Sequence, residues 1–553
     1  MENIVAIISM LHEHAAINPD APISSEPIHF NSSTRMFRGE PVLSWTMRRL
    51  TQSQRIGNIA VLCWEDQLPP VEEIAEEHHA YVLAKGPRQN LPTVEAISAA
   101  RRWTDGWRGG LLSTCDFDLG FHGEWVTELA DRMESDAIVL LDPASGLVDP
   151  KLIDAIIAHA STRSHLDLCF SQAPPGLAGV LLRPAMLERL CQSRVHPGRA
   201  VHYMPEAPAR DPISTDACAP IATPVARSPR SFRLDSQRQL ARISHASESL
   251  NGTLASSDAE ALINRFQWTK QVDELPREIV IELNTNRRSS PIYWPGKHLK
   301  IERKQSATLE QWTKLLFEAS AADDLRLTIG GVGDPLESDL LFPLIDAAKS
   351  VGVQSIHVQT DLLVNDPARV EQLAASAIDA VSINVPAMSV ETYTAVMGVD
   401  GFKQVLNNIA TFVRTRSERG RGVPLIVPTF VKLAENLAEM EVWYDQWLST
   451  LGCAVIDGPS DFGGLIPNLS LANMSPTCRG ACARISSRLT ILADGSVVAC
   501  EQDVLGVNSF GHIAQQSLRE IWNNRLARLR ADHANKSWAK HSPCASCKEW
   551  HRP

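Results

Sequence analysis

Sulfur is concentrated at one end of this chain. Of its eleven cysteines, Cys478, Cys482, Cys500, Cys544 and Cys547 all lie near the C-terminus. Cys63, Cys115, Cys169, Cys191, Cys218 and Cys453 are scattered singly, mostly among apolar residues, and read as packed thiols. Eleven in 553 residues are too sparse for a disulfide scaffold. Between Cys482 and Cys500, the stretch Arg488–Cys500 reads as two short apolar strands joined by Asp494-Gly495. Asp-Gly favours a type I′ hairpin turn, which would return Cys500 beside the first strand. Ser517–Trp522 reads as a capping box, with Ser517 capping, Glu520 reaching back, and Leu518, Ile521 and Trp522 forming an apolar face. The chain then closes on Cys544-x-x-Cys547. In this reading a hairpin and a terminal pair bring four thiolates to one centre. Two fillings stay open on spacing alone. Zinc ribbons usually carry two closely spaced pairs, and only Cys544/Cys547 is such a pair. A [4Fe-4S] cluster is wider and takes ligands from separated segments. The block 471–553 has too little apolar sequence for a core of its own, so a metal staple is expected.

The rest of the chain alternates short apolar runs with amphipathic stretches, the pattern of α/β layers with largely parallel sheets. In the N-terminal part Ile56–Cys63 and Ser135–Asp142 read as buried strands, and Pro41–Gln52 and Pro150–Ala160 as helices opened by proline in the first turn. Residues 205–229 shift to Pro, Ala, Ser and Thr and read as a long loop or linker. A second alternating block predicts strands at Glu278–Leu283, Leu325–Ile329, Ser355–Thr360, Ala380–Asn384, Pro424–Thr429 and Ala454–Ile456, with a helix among them over Ser338–Gly352. Six such βα units predict a partial or complete barrel with its active face at the strand C-termini. The expected division is 1–265, 266–470 and 471–553.

Hydrophobic residues are 44% and charged residues 21% of the chain, which excludes global disorder. The formal net charge of −11, with no clustered basic stretch, argues against a nucleic-acid partner. The N-terminal apolar stretch lacks a basic flank, and no run is long enough to span a bilayer, so no membrane association and a cytoplasmic location are expected.

The tail closely resembles the SPASM domain that follows many radical S-adenosylmethionine enzymes. Cys482, Leu489–Cys500, the segment Glu501–Ile513 with Asp503, Gly506 and Gly511, Ser517–Trp522 and Cys544–Cys547 carry the likeness. The resemblance implies that Cys482, Cys500, Cys544 and Cys547 hold one auxiliary [4Fe-4S] cluster. One cluster is the limit, because the larger cysteine set of two-cluster relatives is missing. Cys478 is then a spare thiol.

Residues 276–464 resemble the barrel of the same superfamily. Gly330–Leu336 is similar to the glycine-rich acidic turn that meets the amino group of S-adenosylmethionine, and His357–Val364, Ala380–Gly398 and Gly401–Ile409 follow in the family's order. After the first strand the family places CxxxCxxC. Here those three positions are Arg287, Pro291 and Trp294. A guanidinium has no lone pair for iron, a proline side chain no donor atom, and indole only a hydrogen to give. Reductive cleavage of S-adenosylmethionine is therefore not expected. Gly331, Gly333 and Asp334 mark the strand end where S-adenosylmethionine, a peptide or a nucleotide would be held. A glycine-rich turn kept for backbone geometry is the competing reading, and it carries more weight.

Residues 31–265 resemble, more distantly, the cytidylyltransferase-like proteins of surface-polysaccharide biosynthesis, which have a GT-A-like fold. Ser33–Leu62, Ser135–Ile157 and Arg230–Ile243 carry that likeness. It implies metal-binding aspartates, yet Ala144 falls where the first belongs unless a short shift promotes Asp142, with Asp235 the second. Surface or capping carboxylates are the plainer reading of both. The glycine-rich phosphate loop is missing from Ala6–Ser25. The whole arrangement resembles the spiro-SPASM group. The favoured expectation is a 4Fe-4S-binding SPASM protein without standard S-adenosylmethionine-cleaving activity, its barrel a scaffold for an unidentified protein or small-molecule partner. A nucleotidyl (cytidylyl) transferase and a zinc-stapled interaction protein are the alternatives. Whether the chain is an enzyme stays open at this stage.

Overall fold

A computed structural model describes residues 2–14, 30–203, 207–267, 273–303 and 305–552. Residues 205–206 of the expected linker, and 15–25 of the glycine-free segment, lie outside the described residues. The chain forms two compact units, Met1–Gln271 and Val272–Pro553. No helix among the described residues is long and apolar enough to cross a membrane.

In the first unit the strands are β1 (Ile4–Ser9), a small ladder of β2 (Met36–Phe37) and β3 (Glu40–Pro41), β4 (Asn58–Cys63), β5 (Tyr81–Ala84), β6 (Ala137–Leu141), β7 (Leu168–Cys169) and β8 (Val180–Leu182). Six of them form one sheet in the order β5-β4-β1-β6-β8-β7. The first four are parallel, and β8 runs antiparallel to β6. β1 is buried along its whole length because both sheet faces are covered. Ile4, Ala6 and Ile8 enter one apolar cluster, while Val5 and Ile7 enter another on the opposite face. The expected strand over Ser135–Asp142 is β6, and Asp142 follows directly at its C-terminal end. Pro150 opens a helix (Pro150–Ser161) capped by Asp149, whose Oδ1 accepts from the Lys151 N–H at 2.9 Å. Pro41 departs from expectation: it is the N-cap of the helix Val42–Leu50 and belongs to β3 instead of the first turn. The described part of the Pro/Ala/Ser-rich stretch lies inside this unit. It is a chain of single turns pinned by the Arg108–Asp211 ion pair (2.7 Å) and by buried Ala219 and Val225.

The second unit holds β9 (Glu278–Glu282), β10 (Arg326–Gly330), β11 (Ser355–Thr360), β12 (Ala380–Asn384), β13 (Leu425–Val431), β14 (Val455–Asp457), β15 (Arg488–Ile491), β16 (Ser496–Val498) and β17 (Gly511–His512). β9 to β14 are consecutive and parallel, with helices between them such as Leu341–Ser350. The arc is open: the sheet runs β14-β13-β12-β11-β10-β9-β15-β16-β17, so β14 and β9 do not meet. β15 instead adds in parallel to the free edge of β9, placing Arg488 opposite Glu278, and β16 and β17 continue antiparallel.

The cysteine-bearing tail therefore solves its shortage of apolar residues by sharing the core of the parallel arc. Leu489, Ile491, Val497, Leu518, Ile521, Trp522 and Leu526 belong to the same buried cluster as Ile279, Ile281, Trp312 and Leu316. The turn between β15 and β16 differs from the expected type I′. Only Gly495 has positive φ (86°), Asp494 does not, and the Gly495 N–H donates to Leu492 O while the Leu492 N–H donates to Ser496 O. A longer loop with one left-handed glycine suits the strand twist without forcing aspartate into the left-handed region. Ser517 Oγ accepts from the Glu520 N–H as expected, but Glu520 does not reach back to complete the capping box, and the N–H of buried Leu518 goes to Glu318 at 2.7 Å.

Candidate functional site

The C-terminal ends of parallel strands are where a barrel of this kind presents chemistry. Arg287, Pro291 and Trp294 lie in the loop after β9, and the loop is anchored by backbone bonds from Ser290 and Ile292 to Met397 and Val396. The Arg287 side chain is 8% exposed and its Nη1 donates to Asp361 Oδ1 at 2.8 Å. Its guanidinium lies over the Trp294 ring at 4.4 Å, and Arg287 Nε (3.2 Å) and Trp294 Nε1 (2.8 Å) both donate to Val332 O. Asp361 is fully engaged: Asn384 Nδ2 donates to Oδ1 at 2.7 Å, and the Ser289 hydroxyl donates to Oδ2. Phe462 packs edge-on to Trp294 at 6.2 Å, and Val332, Ile466, Val504, Leu299 and Ile301 complete an apolar cluster there.

Gly331, Gly333 and Asp334 follow β10. A Cβ on Gly331 (φ +104°) would lie 2.8 Å from the Glu282 side chain, and one on Gly333 would lie 2.4 Å from Asn284 O. These glycines let two strand ends approach closely. The Asp334 carboxylate accepts from Thr360 Oγ1 (2.8 Å), the Asp361 N–H (2.8 Å) and the Leu336 N–H (2.9 Å). Burial, and then the neighbouring Asp361, push its pKa up to about 6, with Arg287 opposing. Beside it, Glu282 takes Arg303 Nε at 2.8 Å and the N–H groups of Val332 and Ala493 at 3.2 Å, tying the glycine-rich turn to the β15–β16 hairpin. Asp361, Glu282 and Arg303 escaped the reading of the sequence. Glu282 is the penultimate residue of one predicted strand and Asp361 directly follows another, which was a usable signal; Arg303 offered none.

A cluster at this loop does not fit the residues present. The three positions supply no lone-pair donor, and Arg287 brings a permanent charge bonded to the strand ends.

The tail arranges its sulfurs differently. Cys482 (8% exposed), Cys500 (6%) and Cys544 (8%) are buried, Cys547 is half-buried and Cys478 is exposed. Cys500 comes off β16, as the hairpin reading required. Cys482 precedes the short helix Arg484–Ser487 that leads into β15, and its N–H donates to His533 Nδ1 at 3.4 Å. Cys544 and Cys547 share one turn, in which the Cys547 N–H donates to Pro543 O at 3.1 Å. The Glu549 N–H points at Cys547 Sγ, 3.3 Å away. Burial pushes the Cys544 thiol up to about 11, with Cys482 and Cys547 adding to the rise, and it raises Cys547 and Cys500 as well, where Cys482 again contributes. Cys482 is thus the common electrostatic neighbour of the other three. Arg479 lowers both Cys544 and Cys547. Among the described residues no three His, Cys, Asp or Glu side chains close round a single ion. The donor set fits an iron-sulfur cluster: four thiols from separated segments, mostly sheltered from water, with a backbone N–H aimed at one sulfur.

Comparison with known proteins falls on the same segment. Residues 482–548 match SPASM, an iron-sulfur cluster-binding domain. That span begins on Cys482 and takes in Cys500, Cys544 and Cys547. An uncharacterized protein of Treponema pallidum (strain Nichols) is 28% identical over 128 residues, which are 22% of this chain and 34% of that protein. The match thus spans about a third of that relative's length. Among solved structures, Streptococcus suis SuiB bound to S-adenosylmethionine is similar at 15% identity and a TM-score of 0.38, over 54% of this chain and 76% of that one. A cytidylyltransferase from Leptospira borgpetersenii is similar at 14% identity and a TM-score of 0.32, over 48% and 93%. Both structural likenesses are loose.

In the first unit, Asp142 is buried at the end of β6, not on the surface. Arg233 Nη2 lies 2.5 Å from Asp142 Oδ2, and Arg233 Nη1 lies 3.0 Å from Asp235 Oδ2. The two aspartates singled out in the sequence do come together, on one guanidinium.

Proposed function

We propose that the protein is an iron-sulfur protein of the radical SAM superfamily, holding one [4Fe-4S] cluster at Cys482, Cys500, Cys544 and Cys547 and using its parallel arc as a scaffold. The observation that carries this reading is Arg287. It fills the loop where the superfamily would bind its S-adenosylmethionine-cleaving cluster, and it is held there by Asp361, Val332 O and the Trp294 ring. The four tail cysteines all fall within the matched SPASM span.

A cluster with four protein thiolates has no open iron, so its chemistry is electron storage or structural stapling, not Lewis-acid activation. The chain's own residues set the conditions. Burial of Cys482, Cys500 and Cys544 excludes water, and the Glu549 N–H and the Arg479 guanidinium favour the charged form of the sulfurs beside them. At the arc, the glycine-rich turn serves strand approach, and Asp334 is spent on Thr360, Asp361 and Leu336, which weakens it as a holder of S-adenosylmethionine. A reducing, cytoplasmic setting belongs to this reading, because the cluster needs its cysteines as thiolates. In this reading the arc, its strand-end loop occupied by Arg287, and a coordinatively complete cluster serve a partner protein as electron carrier or substrate anchor.

The deciding experiment is anaerobic reconstitution with iron and sulfide. The expected product is brown, carries about four iron per chain, gives an EPR signal on reduction, and forms no 5′-deoxyadenosine from S-adenosylmethionine. Formation of 5′-deoxyadenosine overturns the scaffold reading, and a colourless protein with one zinc overturns the cluster. Nucleotidyl transfer at Asp142 and Asp235 is the weaker alternative, since Arg233 bridges that pair; pyrophosphate release from CTP with sugar acids would reinstate it.

A further inference from the structure

The likeness of residues 31–265 to cytidylyltransferases implies a divalent metal between Asp142 and Asp235, because polyphosphate chemistry needs one held by carboxylates. The residues present do not fit that ion. Arg233 lies between Phe232 and Leu234, both fully buried in an apolar cluster. Backbone bonds clamp the segment from both sides: the Phe232 N–H donates to Pro175 O and the Leu234 N–H to Ala144 O, each at 2.8 Å. The second bond seats Arg233 against the turn after β6, where Asp142 Oδ1 also accepts the Ala144 N–H at 3.0 Å. Its two terminal nitrogens then reach the two carboxylates separately, at 2.5 and 3.0 Å. The Arg233 side chain is 13% exposed and Asp142 3%, so water does little to screen the bridge.

We propose that Arg233 is the resident cation of this site, standing where a divalent metal would have to sit, so that the first unit works without one. One fixed positive charge replaces two, and it cannot be exchanged or follow a phosphate. His12 faces the same carboxylate, Nε2 to Asp142 Oδ1 at 3.9 Å, and burial drives its pKa down to about 4, so at neutral pH it adds no charge. Asp116 also senses both Arg233 and Asp142. Arg101 is felt at Asp116 and Arg102 at His12, so the arginines around the site offset its acids without any divalent ion.

The test uses Mn²⁺ and the full reconstituted chain, because Mn²⁺ prefers oxygen ligands over the tail thiolates and its free EPR signal is lost on binding. Wild type is expected to leave that signal unchanged at this site. Arg233→Ala is expected to bind one Mn²⁺ with a Kd of about 10⁻⁴–10⁻³ M, the range of weak carboxylate sites, and adding Asp142→Asn should abolish it. Arg233→Lys keeps the cation and should behave as wild type. Mn²⁺ bound by wild type and lost on Asp142→Asn overturns the proposal, as does a folded Arg233→Ala that binds none. If Arg233→Ala folds poorly, excess Mg²⁺ during refolding should restore its thermal transition, and failure to do so counts equally against the proposal.

Discussion

At the strand ends of the second unit, buried acids and bases answer one another: Arg287 with Asp361, Arg303 with Glu282, Asp334 with Thr360 and backbone N–H groups. In the tail, which shares the same nine-stranded sheet, Cys500, Cys544 and Cys547 each sense Cys482, a thiol like themselves. A donor set that is already paired has little left to offer a cation, whereas clustered donors of one kind are stabilised by one. The contrast separates a closed mouth from a binding centre within one unit, and it can be broken at either end.

The largest effect is expected in the tail. Cys544→Ser with Cys547→Ser removes the paired turn of ligands, so iron should fall from about four per chain to a trace. The tail has no separate core, and losing its staple should also lower Tm and expose the Ser517–Ala534 helices to protease. The same double substitution leaving iron unchanged would place the cluster elsewhere. At the mouth, Arg287→Ala should bind no additional iron but should destabilise the fold by about 3–5 kcal/mol, because it strands a buried carboxylate. Asp361→Asn in the same chain should recover part of that loss, measured by denaturant unfolding as a double-mutant cycle.

These sites were unequally legible in the sequence. The six parallel strands stood out because each is a short β-rich apolar run, and β11 and β12 match their predicted bounds. The tail cysteines stood out because cysteine has few roles outside packing and coordination. The closed mouth was hidden. Its defining pair, Arg287 and Asp361, is separated by 74 residues, and local pattern cannot show which distant carboxylate meets an arginine. Arg287, Pro291 and Trp294 said which ligands the loop does not offer; only the packed structure shows what those side chains do instead. Arg233 was hidden for the same reason, although it stood two residues before the aspartate already singled out.

The two regions should also differ in what they sense. Asp334 has a folded pKa near 6, raised above the ordinary carboxylate value by burial and Asp361. A raised acid pKa means that the folded state binds a proton more tightly than the unfolded chain. The associated stability is complete below about pH 4 and is lost as pH rises through 6. The unfolding free energy of wild type minus that of Asp334→Asn should therefore decline across pH 4–6 and be flat above it. A flat difference throughout would mean that Asp334 is ionised in the fold at all those pH values. Cluster content should not follow this titration.

The smallest effect belongs to Arg479. Its guanidinium lies over the Trp538 ring at 4.9 Å, and Nη2 donates to Cys544 O at 2.5 Å, so it is a fixed positive charge beside two of the sulfurs. A nearby cation favours whichever state carries more negative charge, and for an iron-sulfur cluster that is the reduced one. Arg479→Gln should accordingly shift the midpoint potential to more negative values while leaving iron content intact, as read by EPR-monitored redox titration. The matching substitution at the mouth, Arg303→Gln with Glu282→Gln, should leave that potential where it is, because it removes one charge of each sign from a pair 2.8 Å apart. Equal shifts from both would mean that the potential follows something other than the cation beside the sulfurs, and the distinction between mouth and tail would lose its electrostatic basis.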